Sequence, residues 1–238
     1  MNQNNTDYQE IANRILYEDN HLIIANKMPG ELVQGDDTGD VPLLEKVREY
    51  IRIKYNKPGN VFCGLVHRID RPVSGAVVFA KTSKALTRTN EMVKNRSFSK
   101  HYWAIVEGKT PNLCDTLVNY LKKNSVNNKT LVSKNEYSGW QRAELKYKVL
   151  ASSDRYSLLE IELITGRHHQ IRAQLSNIGN PIKGDLKYGA KRSESDRSIC
   201  LHARTISFPH PVSKEILIIE ANPYNSLFFR LLEKNKIN

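Results

Sequence analysis

Asp70 lies in the stretch GLVHRIDRPVSG, residues 64–75, where apolar, strand-like sequence breaks into a polar turn that sets one carboxylate between Arg68 and Arg71. Pro72 fixes the backbone just after it, and Ser74-Gly75 leads back into the apolar run AVVFA. The Asp therefore occupies a tight basic loop between two predicted strands. Cations beside a carboxylate favour its ionised form, which suits a nucleophile, a base or half of a structural ion pair. Taken alone the loop favours the ion pair, because Asp and Arg are commonplace in turns. Two further residues have the same double reading. Tyr102, in KHYWAIVEG beside Trp103, reads first as core packing. Arg172, beside an apolar helical stripe, reads first as a surface side chain with its stem packed down. His168 and His169 are neighbours and point about 100° apart on a helix, a poor start for a metal site.

The elements that must position these residues follow from periodicity. ILYEDNHLIIANKMPG predicts a hairpin with an Asp-Asn turn, closed by Pro29-Gly30. Pro42 opens a helix with Leu44, Val47 and Ile51 on one face. After the Asp70 loop, residues 76–80 predict a buried strand, and Thr82 or Ser83 caps a helix carrying Leu86, Met92 and Val93. Several short strands with polar turns run from Lys100 to about Ile164 and predict an antiparallel region. Thr165-Gly166 is read as the cap of a helix beginning near Arg167 and stopped by Gly179. Two late strands and a helix from about Ser226 complete a mixed α+β domain with a largely antiparallel central sheet and flanking helices. Residues 1–14 are expected to be a flexible tail, and 15–238 a single domain.

Composition limits the classes of function. The chain has 238 residues, 39% of them apolar, enough for a sizeable core. No apolar run approaches the roughly 20 residues that span a bilayer, and the polar start is unlike a signal peptide, so a cytoplasmic protein without membrane partner is expected. Three cysteines without a CxxC spacing suggest neither disulfides nor zinc. The net charge of +11 points to phosphate backbones as partners. From Arg71 to Lys109 there are eight Lys and Arg against two Glu, read as a track for RNA. Lys183 and Lys187 are read as an extension of it.

HRIDRPVSG, KHYWAIVEG, TGRHHQIRAQLSNIGNPIKGDLKYG and the later Leu201-His202-Ala203 with His210-Pro211 stand in one order along the chain. Together they resemble the RluA-type pseudouridine synthases, over about Leu16 to Pro223. Two departures are visible: Val73 stands where the family most often has Thr, and Gln174 where a His is usual. The resemblance implies a pseudouridine synthase fold with a basic catalytic cleft, no cofactor and no metal. It implies Asp70 as the essential carboxylate, Tyr102 as the aromatic that stacks on the target base, Arg172 as the arginine paired with the Asp, and Leu201 as an apolar pocket residue. Arg68, Arg71, Lys100, Arg167 and His169 are the accompanying candidates for binding substrate. The family often carries an S4-type RNA-binding domain, for which too few residues precede the core here.

The chemistry asks for such groups. Forming pseudouridine breaks the N1–C1′ bond of a uridine, turns the uracil and rejoins it through C5, so no atoms are added. A carboxylate can capture or stabilise the electron-poor sugar, and a Tyr face offers stacking to a base flipped out of its helix. The expected substrate is a structured RNA, ribosomal or transfer, met by a monomer. The competing readings are a non-catalytic RNA-binding protein and a metal-dependent nuclease built on His67, His168, His169 and Asp185.

Overall fold

A computed structural model describes residues 3–234. Residues 1–2 of the expected tail and 235–238 of the expected domain lie outside it. In chain order the elements are α1 (Gln3–Ala12), β1 (Ile15–Glu18), β2 (Leu22–Lys27), α2 (Leu43–Lys54), β3 (Gly64–Leu65), β4 (Ser74–Ala80), α3 (Ser83–Lys94) and β5 (Ser99–Glu107). They continue with β6 (Cys114–Asn124), β7 (Lys129–Ser133), β8 (Gln141–Ser152), β9 (Tyr156–Leu163), α4 (Gln170–Asn177), β10 (Leu201–Pro209), β11 (Ile216–Glu220) and α5 (Leu227–Lys234). The chain forms two compact units, Met1–Phe98 with Arg204–Asn222, and Ser99–Ala203 with Pro223–Asn238. The result is the mixed, mostly antiparallel α+β architecture that the strand and helix periods predict.

The first unit is organised on β2 and β4, which pair antiparallel with Ile23 opposite Phe79 and Ala25 opposite Val77. Every residue of both strands is buried, as their unbroken apolar runs require. Alternation sends Ile23, Ala25, Val77 and Phe79 to a face covered by Val47 and Ile51 of α2. It sends Leu22, Ile24, Ala76 and Val78 to the other, against Phe98, Ile206 and Phe208. Pro42 precedes α2 in extended conformation, φ −76°, while the Thr82 side chain accepts the Ala85 N–H at 3.2 Å and starts α3. Leu43 and Tyr50 join Val47 and Ile51 in the buried stripe of α2.

The expected tail contains α1. Tyr8 stacks on Tyr50 with ring centroids 5.2 Å apart, and Ile11 is buried, so two apolar contacts dock an otherwise polar segment. A second tie closes the other end of this unit: Glu18 accepts from Lys54, Lys81, Tyr50 and Tyr55. Burial opposes ionisation there, but the bonds from Lys54, Lys81 and Tyr55 hold its carboxyl down at about 2.

The second unit is a meander in the order β5-β9-β8-β6-β7. Its pairings are antiparallel, with Tyr102 opposite Ile161 and Leu117 opposite Leu145. Ile105, Leu145, Leu158, Leu159 and Ile161 are fully buried. Phe228 of α5 packs near Trp103, at 6.4 Å, and His202, at 6.2 Å. Helix α4 begins at Gln170, three residues after Arg167, with His169 in left-handed conformation at its N-cap. Thr165 does not cap it directly. Its hydroxyl donates to Gln170 Oε1 at 2.8 Å and the same oxygen accepts the Arg167 N–H at 3.0 Å, so the Gln170 side chain folds the preceding turn.

Candidate functional site

Asp70 belongs to the first unit, on the connection between β3 and β4. Its carbonyl accepts the Val73 N–H at 3.0 Å, closing a four-residue turn over Pro72. The carboxylate across from Arg71 is Asp40, and Arg71 Nε also donates to the Gly30 carbonyl at 3.0 Å. Gly30 in return donates its N–H to the Arg71 carbonyl at 2.8 Å. Arg71 therefore pins the turn to the 30–40 segment, while Arg68 is exposed. Val73 is buried and its ties are made by its backbone; a hydroxyl is not needed for them. Asp70 itself is half-buried.

Beneath the turn lies a residue that periodicity does not reveal. Lys27, the last residue of β2, is wholly buried, and its Nζ donates to the carbonyls of Met28 at 2.8 Å, Arg71 at 3.0 Å and Val73 at 2.7 Å. Burial pushes this amine down to about 7, against the pull of Glu31 and Asp70.

Tyr102, Lys100, Arg167, His169, Arg172 and Leu201 belong to the second unit. Tyr102 is on β5 and only 6% exposed, so its ring shows little area to solvent. Lys100, two residues earlier on the same strand, reaches toward the turn before α4: a Cβ at Gly166 would stand 3.6 Å from its Nζ. Burial lowers its pKa. Leu201 is buried at the start of β10, just after Cys200, whose carbonyl accepts the Ile105 N–H at 2.9 Å. Arg167 is exposed, with Nε donating to the Arg142 carbonyl at 3.2 Å.

Arg172 is buried, not superficial. Its Nε and Nη2 form a fork on Asp185, at 2.7 and 2.9 Å, with the two side chains 6% and 2% exposed. Its guanidinium carbon also lies 5.0 Å over the Tyr188 ring. Asp185 reaches this position because Gly184 turns the chain at φ +91°; a Cβ there would meet the Ser198 carbonyl at 2.7 Å. Gln174, the other departure, is fully buried and donates to the Leu117 carbonyl and Asn119 Oδ1 at 3.1 and 2.8 Å. It ties α4 to β6.

A relay of hydrogen bonds connects α4 with β7. The Thr130 N–H donates to the Tyr188 oxygen at 2.8 Å, and the Tyr188 hydroxyl shares a hydrogen bond with His169 Nδ1 at 2.9 Å. Thr130 Oγ1 donates to the His168 carbonyl and faces His168 Nδ1 at 2.9 Å. Burial, with Arg172 and His168 nearby, drives the pKa of His169 down to about 2. The four residues of the nuclease reading thus have other partners: Asp185 meets Arg172, the two histidines meet Tyr188 and Thr130, and His67 Nε2 accepts the Val78 N–H at 3.3 Å. Among the described residues no group of three or more His, Cys, Asp and Glu is placed to hold a metal.

Residues 21–177 match the profile of the RNA pseudouridylate synthase family. The ribosomal large subunit pseudouridine synthase C of Vibrio parahaemolyticus serotype O3:K6 is 33% identical over 236 residues, covering 96% of this chain and 71% of that protein. The protein called uncharacterized RNA pseudouridine synthase YhcT, from Bacillus subtilis strain 168, is 35% identical over 212 residues, covering 87% of this chain and 67% of that one. Among solved structures, human RNA pseudouridylate synthase domain containing 4 superposes with a TM-score of 0.79 at 22% identity, over 98% of this chain and 97% of the other.

Removing one partner of a buried pair strands the other charge. Asp185→Ala is expected to cost about 3–5 kcal/mol of unfolding free energy in denaturant melts, and Asp185→Asn, which keeps one acceptor, less. His169 supplies a pH test. Folded His169 stays neutral while the unfolded imidazole takes a proton below its ordinary value of 6.5, so the unfolded chain binds more protons there. Its share of stability is complete above 6.5 and is lost as pH falls toward 2. His169→Asn is expected to flatten the fall in stability between about pH 6.5 and 4.5, read by melts at stepped pH.

Proposed function

The chain belongs to the RNA pseudouridylate synthase family and is an RNA-modifying isomerase, and on that premise we propose that it converts specific uridines of ribosomal RNA to pseudouridine, with Asp70 as the essential carboxylate. The observation that carries the choice of RNA is the 33% identity, across 96% of this chain, with an enzyme named for the large ribosomal subunit. Transfer RNA is the second candidate. No helix among the described residues is long and apolar enough to cross a membrane, and the net charge of +11 suits a phosphate-rich partner. We assign the protein to the cytoplasm, acting as a monomer with residues 15–238 as one catalytic domain.

Each chemical role is drawn from the residue's type and its place in the motifs. Asp70 acts at the sugar, either by attack at C1′ or by taking the C2′ proton, while the N1–C1′ bond breaks. The turn that presents it is held by hydrogen bonds to its backbone on both sides of Pro72, from other backbone groups and from the Lys27 side chain, which supports a fixed carboxylate. Tyr102 stacks on the target base after it leaves its helix. Arg172 supplies a cation whose direction is set by Asp185. Leu201 lines the pocket. Arg68, Lys100, Arg167 and His169 contact substrate, with neutral His169 serving as a hydrogen-bonding group. Arg71 shapes the turn. No cofactor enters, since the product has the atoms of the substrate.

The test uses RNA tritiated at uridine C5, because rejoining through C5 releases that hydrogen. Wild type is expected to release tritium with EDTA present, and Asp70→Ala to fall to background while binding RNA within about threefold of wild type, a change of less than 1 kcal/mol. No release from any cellular RNA fraction would sink the synthase reading. RNA cleavage that EDTA abolishes, with no tritium released, would favour the metal-dependent alternative.

A further inference from the structure

We propose that Lys54, Lys57 and Lys81, gathered around the ring of Tyr55, form an exosite for a backbone phosphate of the substrate RNA, at the end of the first unit remote from the Asp70 turn. This rests on ribosomal RNA being the substrate. The three ammonium nitrogens lie 5.6, 5.8 and 4.6 Å from the centroid of the Tyr55 ring, which is itself 46% exposed. Lys54 ends α2, Tyr55 is its C-cap, and Lys81 follows β4. All four residues belong to the first unit. Strand β4 runs from Ser74, beside the Asp70 turn, to Ala80, so roughly 20 Å of strand separates the cluster from the turn.

Ammonium groups this close repel unless something holds them. Glu18, 7% exposed, accepts from Lys54 and Lys81 at 2.7 Å each and from the Tyr50 and Tyr55 hydroxyls at 3.1 and 2.8 Å. Four donors fill the acceptor sites of one carboxylate, so Glu18 has none left for Lys57. Lys54 and Lys81 each give a second N–H to a tyrosine oxygen, Tyr50 at 2.9 Å and Tyr55 at 3.4 Å, and each has a third to spare. Among the described residues the Lys57 Nζ has the Tyr55 ring and no carboxylate. Three ammonium groups against one carboxylate leave two positive charges unpaired.

Nearby acids do not cancel them. Glu45 and Glu49 of α2 are engaged by Arg48 and Arg52, and Asp19 turns to the His21 and Leu22 N–H groups and to His210. The helix end does not draw on the lysines either: the Ile51, Arg52 and Ile53 carbonyls accept the backbone N–H groups of Tyr55, Lys57 and Asn56. A phosphodiester supplies one negative charge and acceptor oxygens, the complement of this cluster. Such contacts fix the register of an RNA without reading its sequence, here on the same unit that carries Asp70. Lys54 and Lys81 also tie Glu18, so removing them would mix binding with folding. Lys57 carries no such tie and is the position to test.

The experiment compares wild type, Lys57→Gln and Lys57→Glu with Lys148→Gln, a charge-matched control at an exposed lysine of β8 in the second unit. In the first arm, binding of a large-subunit ribosomal RNA transcript is measured across a potassium chloride series. Lys57→Gln is expected to bind about fivefold more weakly at low salt, with the slope of log K against log salt reduced by about one. Its melting temperature should match wild type, and Lys57→Glu should bind more weakly still. In the second arm, acetylation of Lys57 by an amine-reactive ester is followed by mass spectrometry with the transcript, with inorganic phosphate and with polyglutamate. Saturating RNA is expected to slow it about fivefold, and the other two, at equal ionic strength, by less than about twofold. On C5-tritiated ribosomal RNA the loss in Lys57→Gln should lie in KM. An unchanged salt slope in Lys57→Gln overturns the proposal, as does an equal loss in Lys148→Gln. Protection by polyglutamate as strong as by RNA overturns it in favour of an acidic protein, and protection by phosphate alone in favour of a free anion. A wild type that releases no tritium defeats the synthase reading alone, because binding and acetylation are read without turnover.

Discussion

A guanidinium taken out of water must find a carboxylate in the plane of its fork, or the segment that carries it does not pack. The Arg172–Asp185 pair meets that demand with two bonds inside 3 Å, and much of the second unit follows from it. Helix α4 has to present Arg172 inward, which makes Gln170, Ile171, Ala173, Gln174 and Leu175 buried as well. The chain after α4 has to bring Asp185 back, which requires the left-handed bend at Gly184. Tyr188, one turn beyond, places its ring against the Arg172 guanidinium and shares a hydrogen bond with His169. Such a pair adds little net stability compared with an apolar core. It does leave one geometry open to the arginine.

The two units solve the same problem of a buried cation in different ways. Arg172 is planar and cannot shed its proton, so its partner is a formal negative charge. Lys27 is compact and has three donors, and its partners are neutral carbonyls. The second arrangement is sensitive to pH near neutrality, because a lysine without a carboxylate directly on it shifts readily when buried.

The central strands, the Pro42 helix, the Thr82 cap and the hairpin around Asp19-Asn20 were all legible, because unbroken apolar runs, helical spacing and turn residues act locally. The Asp70 turn was legible for the same reason. Its ion pair was not: neighbouring charges suggested a partner for Asp70, whereas Arg71 reaches across to Asp40, thirty-one positions away. Lys27 looks like an ordinary polar end to the run LIIANK, and only tertiary structure shows that the chain closes over it. Asp185 gave one usable signal, its place in GDLKYG, but lies thirteen residues beyond Arg172 across irregular chain that no period connects. Thr165 looks like a cap for α4, but the Gln170 side chain, bonded locally to Thr165 and Arg167 and across to the Glu144 carbonyl, sets the start of the helix instead. The N-terminal helix was hidden by its polar composition, since Tyr8 and Ile11 act only through surfaces supplied elsewhere.

The hairpin of β6 and β7 is held beside its turn and not only at its far end. Its tip, with Val126 93% exposed, stands in solvent, and its lysines at 122, 123 and 129 give it a positive charge. Thr130, paired with Lys123 next to the turn, has its N–H and hydroxyl taken by Tyr188 and His168, and the Asn128 carbonyl accepts from Lys187 at 3.1 Å. The charge of this turn is therefore carried on backbone moored to the same segment that supplies Asp185 to Arg172.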